Sequence, residues 1–227
     1  MNMKNIIYIL STILLLALFS SCGKDNYDEP DVNLTGRVTY QGKALNVRGT
    51  DQRVRLQLYQ DGYAKRDPIE VFVTQDGSFS AKLFNGEYKM VAKDRTGPWV
   101  NHRDTTVISI KGNTDINFEV EPFFMISDAN ISISGNTMTA TFNIEKVAAT
   151  AEMDRIFLLL NTTSFVDDEY KVLRTDYTEN LTTGQVTYTA DLTGNEKVAN
   201  AQFLYGRVCV WAKGSDQGVY SPVVRLK

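Results

Sequence analysis

The sequence predicts an all-β protein made of two tandem β-sandwiches. Three observations carry that expectation. Apolar and polar residues alternate with period two in several short runs: Val54, Leu56 and Leu58; Ile116, Phe118 and Val120; Met138, Ala140, Phe142 and Ile144; and Val186, Tyr188, Ala190 and Leu192. A run with one apolar and one polar face forms a half-buried antiparallel strand. Turn pairs punctuate these runs at Gln41-Gly42, Asp76-Gly77, Asn85-Gly86, Lys111-Gly112, Gly135-Asn136 and Thr183-Gly184. No segment beyond residue 22 repeats its apolar residues at helical spacing. The chain has 227 residues, 43% of them hydrophobic, enough for one or two domains with substantial cores. Its net charge of −3, with no long basic run, argues against nucleic acid as a partner.

Residues 1–21 read as a secretory signal peptide. Lys4 supplies the positive start, residues 5–19 an apolar run, and Ser20 and Ser21 a small-residue end directly before Cys22. The apolar run is shorter than the roughly 20 residues that span a bilayer. Small residues followed by cysteine resemble a bacterial lipobox, with Phe19 where leucine is usual. The resemblance implies cleavage before Cys22, lipidation of its thiol and anchoring in the outer membrane. A plain signal peptide with an incidental cysteine is the alternative. Residues 22–31 then form the lipidated cysteine and an acidic tether, GKDNYDEPD after Cys22, which reaches about 30 Å when extended. Acidic residues at this place resemble the surface-export signal of gut-type Bacteroidota lipoproteins, which implies a protein facing the cell exterior. An ordinary solvated tether would be acidic too. Cys209 is then the only unmodified cysteine, so stability is expected from packing rather than disulfides.

The first domain is expected over 32–121. Its strands are read at Leu34–Val38 and Val54–Leu58, with a hairpin at Asp76-Gly77 whose following Phe79 enters the core, and a second turn before Tyr88. These segments (LTGRV, VRLQL, TQDGSF and LFNGEY) resemble the carboxypeptidase-regulatory or transthyretin-like β-sandwich. Pro122 marks the junction, because proline cannot donate to a sheet ladder.

The second domain is expected over 122–227. Ile156–Leu160 is a continuous apolar run, as in a strand covered on both faces. YGRVCVWA at 205–212 and VYSPV at 219–223 resemble the last two strands of a fibronectin-III or immunoglobulin-like sandwich. Within the first, Tyr205, Arg207, Cys209 and Trp211 share one face and Leu204, Val208, Val210 and Ala212 the other; parity alone leaves open which is core. With its leader and tether, the whole chain resembles a Bacteroidota lipoprotein family of unknown function. That resemblance implies an association with polysaccharide-utilisation systems built around TonB-dependent porins.

Reactive chemistry is sparse. The one histidine, His102, lacks the companions of a zinc site or a serine triad. Glu119 and Glu121 share a strand face that looks solvated, and Asp167-Asp168-Glu169 reads as a solvated loop without the spacing of a calcium loop. No catalytic residue, metal or cofactor is expected. Aromatic side chains are the better lead, because the C–H face of a sugar stacks on an exposed Trp or Tyr while nearby polar groups bond its hydroxyls. Trp99 follows Gly97-Pro98 and has Asn101, His102 and Arg103 beside it, so it lies either on a ligand rim or folded onto the core. Tyr59 and Tyr63, in the stretch YQDGY, form a second candidate. The expected function is therefore a non-enzymatic surface lipoprotein binding or presenting glycans beside an import porin. The alternative is a structural, spacer or porin-docking subunit without a small ligand.

Overall fold

In the computed structural model, residues 28–62 and 65–227 are described; the leader, Cys22 and Tyr63 lie outside them. The first half supplies nine strands: β1 (Val32–Tyr40), β2 (Lys43–Ala44), β3 (Arg55–Tyr59), β4 (Ile69–Phe72), β5 (Ser78–Leu83), β6 (Gly86–Ala92), β7 (Thr106–Ile110), β8 (Thr114–Asp115) and β9 (Phe118–Glu119). They form two sheets. One is centred on β1, which pairs antiparallel with β2 and β5 and parallel with β8 and β9; the other runs β4-β3-β6-β7. Leu34, Val38, Leu56, Leu58, Phe79, Tyr88 and Met90 are buried. The period-two pattern thus points its apolar residues inward as expected.

The second half supplies β10 (Phe124–Ser134), β11 (Thr137–Lys146), β12 (Met153–Asn161), β13 (Leu173–Tyr177), β14 (Gly184–Asp191), the one-turn helix α1 (Glu196–Ala199), β15 (Tyr205–Ala212), β16 (Val219–Tyr220) and β17 (Val224–Arg225). One sheet is β10-β11-β14 and the other β13-β12-β15-β16, with β17 also on β15. The molecule is a two-domain all-β sandwich protein. Ile156–Leu160 is fully buried, as its continuous apolar run requires: Ile156, Leu158 and Leu160 join the main core, while Phe157 and Leu159 pack with Val166, Cys209 and Tyr220. Burial drives the Cys209 thiol well above its ordinary pKa, which leaves it inert.

The turns follow their residues. Gln41 and Gly42 both take positive φ, 49° and 73°, between the paired Tyr40 and Lys43, the geometry of a tight two-residue hairpin. Gly77, at φ 81°, closes the Thr74–Ser78 turn. Asp76 organises that turn by accepting from the Thr74 hydroxyl (2.6 Å), the Ser78 hydroxyl (2.7 Å) and the Ser78 N–H (3.1 Å). Burial alone would raise its pKa. These bonds and the Arg37 guanidinium outweigh it and hold the carboxyl at about 2. A carboxyl held below its unfolded value of about 3.9 stabilises the fold at pH above 4, and this stabilisation is lost as the pH falls from about 4 to about 2. The side chain is 49% exposed, so its contribution is discounted to about 1 kcal/mol. Urea melts at pH 5 and pH 2 check this: Asp76→Asn is expected to be less stable by that amount at pH 5 and nearly equal to the parent protein at pH 2.

The two sandwiches are locked together, and the lock corrects one sequence expectation. Asp167-Asp168-Glu169 is solvated only at Glu169, which stays 62% exposed. Asp167 is buried, accepting from the Thr50 hydroxyl at 2.5 Å and from the N–H groups of Glu169 and Tyr170. Asp168 accepts from the Tyr220 hydroxyl at 2.6 Å and pairs with Arg48 of the first sandwich at 3.2 Å. Beside them Arg207, 0% exposed, extends from β15 and donates to Val47 O and Gln75 O of the first sandwich and to Val166 O and Ser221 O of the second. Its guanidinium also lies 4.6 Å over the Tyr220 ring. Buried ions persist only when their donors are satisfied, and the loop acids are drawn in by these donors. Main-chain bonding continues the seam, with Tyr220 N–H donating to Asn46 O at 3.0 Å.

Candidate functional site

The segment after β6 is held against the junction between the sandwiches. Val100 N–H donates to Glu121 O at 2.9 Å, and Phe123 N–H donates to Pro98 O at 3.0 Å, so residues 98–100 run beside 121–123. Trp99 sits in the middle of this ribbon with its ring against Gly97, where a Cβ would collide with the indole. The absence of a side chain at Gly97 is what lets the ring close onto the backbone. Trp99 is 1% exposed. The sequence left open whether it was rim or core, and it is core. It is therefore no exposed stacking platform. Its Nε1 has no hydrogen-bond partner among the described residues.

Above Trp99 lies a pocket of about 340 Å³, within the range of small-ligand sites. Its apolar lining comes from Trp99, Phe118, Val120 and Ala92, and its polar lining from Tyr40, Gln41, His102, Asp104, Glu119 and Glu121. Tyr40, at the end of β1, is half-buried and lies directly before the Gln41-Gly42 turn. It is the aromatic that offers the pocket a partly open face. Its phenol oxygen accepts from the Gln41 side-chain amide at 3.0 Å.

Glu119 fixes that turn. One carboxylate oxygen accepts from the Thr39 hydroxyl at 2.8 Å and from Gly42 N–H at 3.0 Å; the other accepts from Gln41 N–H at 2.9 Å. Glu121 faces His102, with Glu121 Oε2 and His102 Nε2 2.8 Å apart. The alternating strand does place both acids on one face, as read from the sequence. That face stays solvent-accessible, with Glu119 exposed and Glu121 half-buried, and it also lines the pocket that the 98–106 segment forms beside it.

The predicted rim is thus only partly assembled. His102 lines the pocket. Asn101 instead accepts from Arg95 N–H at 3.1 Å, and Arg103, 87% exposed, extends toward Asp94 at 3.7 Å; neither lines it. Tyr59 belongs to a separate depression of about 280 Å³, shared with Asp61, Glu87 and Lys89. Its hydroxyl donates to Gln57 Oε1 at 3.1 Å, and Lys89 pairs with Asp61 at 2.6 Å. Tyr40, Glu119 and Glu121 were missed as site residues. The signal for Tyr40 was its place beside a Gln-Gly turn, where a side chain at a hairpin end faces a sandwich edge. Among the described residues no group of three or more His, Cys, Asp or Glu side chains is arranged to hold a metal ion.

Two known families match this architecture in sequence. The "Protein of unknown function (DUF3823) N-terminal domain" matches residues 32–121, and the "Domain of unknown function (DUF3823_C)" matches residues 124–225. A DUF3823 family protein of known structure from Parabacteroides merdae is 50% identical, with a TM-score of 0.85, covering 88% of this chain and 100% of its own. Another, from Bacteroides ovatus, is 32% identical with a TM-score of 0.79, covering 87% and 98%. A structure from Bacteroides uniformis described as a "putative carbohydrate binding protein" is 18% identical with a TM-score of 0.72, covering 87% and 99%, and at that identity it shares the fold alone. No curated protein matches the chain. With both halves matched and a half-identical relative aligned along its full length, the chain belongs to the DUF3823 family.

Proposed function

We propose that this protein is a non-catalytic outer-membrane lipoprotein, anchored through Cys22 and facing the cell exterior, that binds glycan in the Tyr40 pocket beside a TonB-dependent import porin. One observation carries the binding: a pocket of about 340 Å³ joins a half-open tyrosine ring and an apolar floor to a rim of hydrogen-bonding groups. A sugar ring needs this pairing of a flat apolar surface with acceptors for its hydroxyls. The Bacteroides uniformis structure described as a "putative carbohydrate binding protein" shares the fold and supports the same direction. The Ser20-Ser21-Cys22 sequence and the acidic tether support the anchor and its exposure. A non-catalytic role is supported by the engagement of two of the three pocket acids: both Glu119 oxygens bind the Gln41-Gly42 turn region, and Glu121 is paired with His102.

A glycan array spanning plant, host and microbial polysaccharides, followed by titration calorimetry, tests the binding. Binding through one small site is weak, and clustering of lipid-anchored copies raises avidity. Tyr40→Ala is expected to weaken binding about fivefold or more, the loss of one stacking contact of roughly 1 kcal/mol. Absence of binding across the array would sink the reading. Mass spectrometry of the membrane-extracted protein is expected to find acyl chains on Cys22. A second reading, a docking subunit without a small ligand, is favoured by Val107, which is 61% exposed on the sheet-edge strand β7. It predicts co-purification with a porin partner that is lost on Val107→Asp.

A further inference from the structure

A second depression, of about 230 Å³, opens on the other side of the β1–β2 turn, in the cleft between the two sandwiches. Its far wall belongs to the second sandwich: Met125, Ile126, Ser127 and Ala129 of β10, Glu145 of β11, and Pro222. Its near wall is β1–β2, and it shares Tyr40 and Gln41 with the first pocket. The tyrosine therefore stands between two adjoining recesses. The turn carrying it is fixed by three bonds to the Glu119 carboxylate, and the cleft behind it by the Arg207 lock. A divider held this firmly between two recesses is preorganised, so little ordering is needed when a ligand lies across it.

The charges of the combined surface are one-sided. Asp104, Glu119 and Glu121 line the first recess, and Asp128 and Glu145 the second; Lys43 and His102 are the basic residues among the lining side chains. Carboxylates accept hydrogen bonds from hydroxyls and repel other carboxylates.

Resting on the glycan-binding reading above, we infer that the ligand is a chain rather than a single sugar, and neutral rather than acidic. It crosses Tyr40 from the first recess into the cleft between the sandwiches. One sugar occupies each recess, and Tyr40 supports the linkage between them. The second sandwich is then part of the binding site.

The full mature chain is titrated calorimetrically with cello-, manno-, xylo- and malto-oligosaccharides of one to six units, and with oligogalacturonides of the same lengths. In at least one neutral series, affinity is expected to rise about tenfold or more between one and two units and to level off by about three. Oligogalacturonides are expected to bind at least about tenfold more weakly than that series. Ser127→Trp, an exposed change that fills the cleft, is expected to remove the gain with length while leaving the weak binding of the shortest sugar intact. Glu145→Trp, on the neighbouring strand, serves the same purpose should Ser127→Trp disturb the sheet. Affinity independent of length, equal binding of the uronates, or indifference to both cleft substitutions would overturn the two-recess inference while leaving glycan binding standing. No binding by any of these sugars overturns both.

Discussion

Replacing Arg207 with methionine is expected to destabilise the protein by about 3–5 kcal/mol, the cost of leaving several buried carbonyl oxygens short of donors at about 1–3 kcal/mol each. For a body of this size that lowers the melting temperature by roughly 6–20 °C. The guanidinium makes five hydrogen bonds to four carbonyl oxygens, at 2.8–3.3 Å, and no carboxylate touches it among those bonds. Burial pulls its pKa down to about 10, partly offset by Tyr220, Cys209 and the acids Asp167 and Asp76, so it remains charged at neutral pH. Methionine fills much of the volume but leaves buried carbonyls with fewer donors, and each such group costs about 1–3 kcal/mol. Two of the four carbonyls, Val47 O and Gln75 O, lie in the first sandwich and two, Val166 O and Ser221 O, in the second. The loss therefore falls on the seam. Calorimetry of the parent protein is expected to show one cooperative transition, and Arg207→Met two, as the sandwiches begin to unfold separately. Arg207→Lys keeps the charge but cannot reach four carbonyls with one ammonium, and should fall between. A methionine variant melting within about 1 kcal/mol of the parent would show that the seam is held by apolar packing alone.

The lock also shows where sequence reading stops. Strand periodicity and turn chemistry are local properties, and they were legible: Val54, Leu56 and Leu58 are buried as the alternation requires, and Gly42, Gly77, Gly135 and Gly184 all take positive φ at the expected turns. Pairing is not local. Nothing in the Thr114–Asp115 or Phe118–Glu119 segments says that both lie parallel to β1. The Arg207 face of β15 was visible as a parity class, but its covering is the other domain and the 162–172 loop. A charged residue on such a face reads as surface unless that cover is known. Asp167 is buried and Asp168 half-buried for the same reason, because their partners Thr50 and Arg48 lie more than a hundred residues earlier. In the candidate site, Trp99 and His102 were found because aromatic and polar residues in a Gly-Pro loop are conspicuous. Tyr40 and Glu121 were not, because the pocket exists only once the 98–106 segment has folded back over the face of β9.

Trp99 carries the second large effect. Trp99→Ala is expected to cost about 3–5 kcal/mol, the range for deleting a large buried aromatic, and to abolish glycan binding by removing the pocket floor. Trp99→Phe should behave differently, because two opposing contributions nearly cancel. The smaller ring loses packing, but it also removes an indole N–H that has no partner among the described residues, and a buried unsatisfied donor costs about 1–3 kcal/mol. The phenylalanine variant is therefore expected to stay within about 1.5 kcal/mol of the parent in urea denaturation and to keep a usable pocket. The pair separates two roles that a single substitution confounds. If Trp99 acts as an apolar floor, binding follows the presence of a ring and survives in Trp99→Phe. If the free N–H meets a sugar hydroxyl, Trp99→Phe folds normally but binds roughly fivefold to tenfold more weakly, the worth of one hydrogen bond. A phenylalanine variant as unstable as the alanine variant would contradict both, and would mean that the indole N–H has a bound partner of its own, such as a buried water.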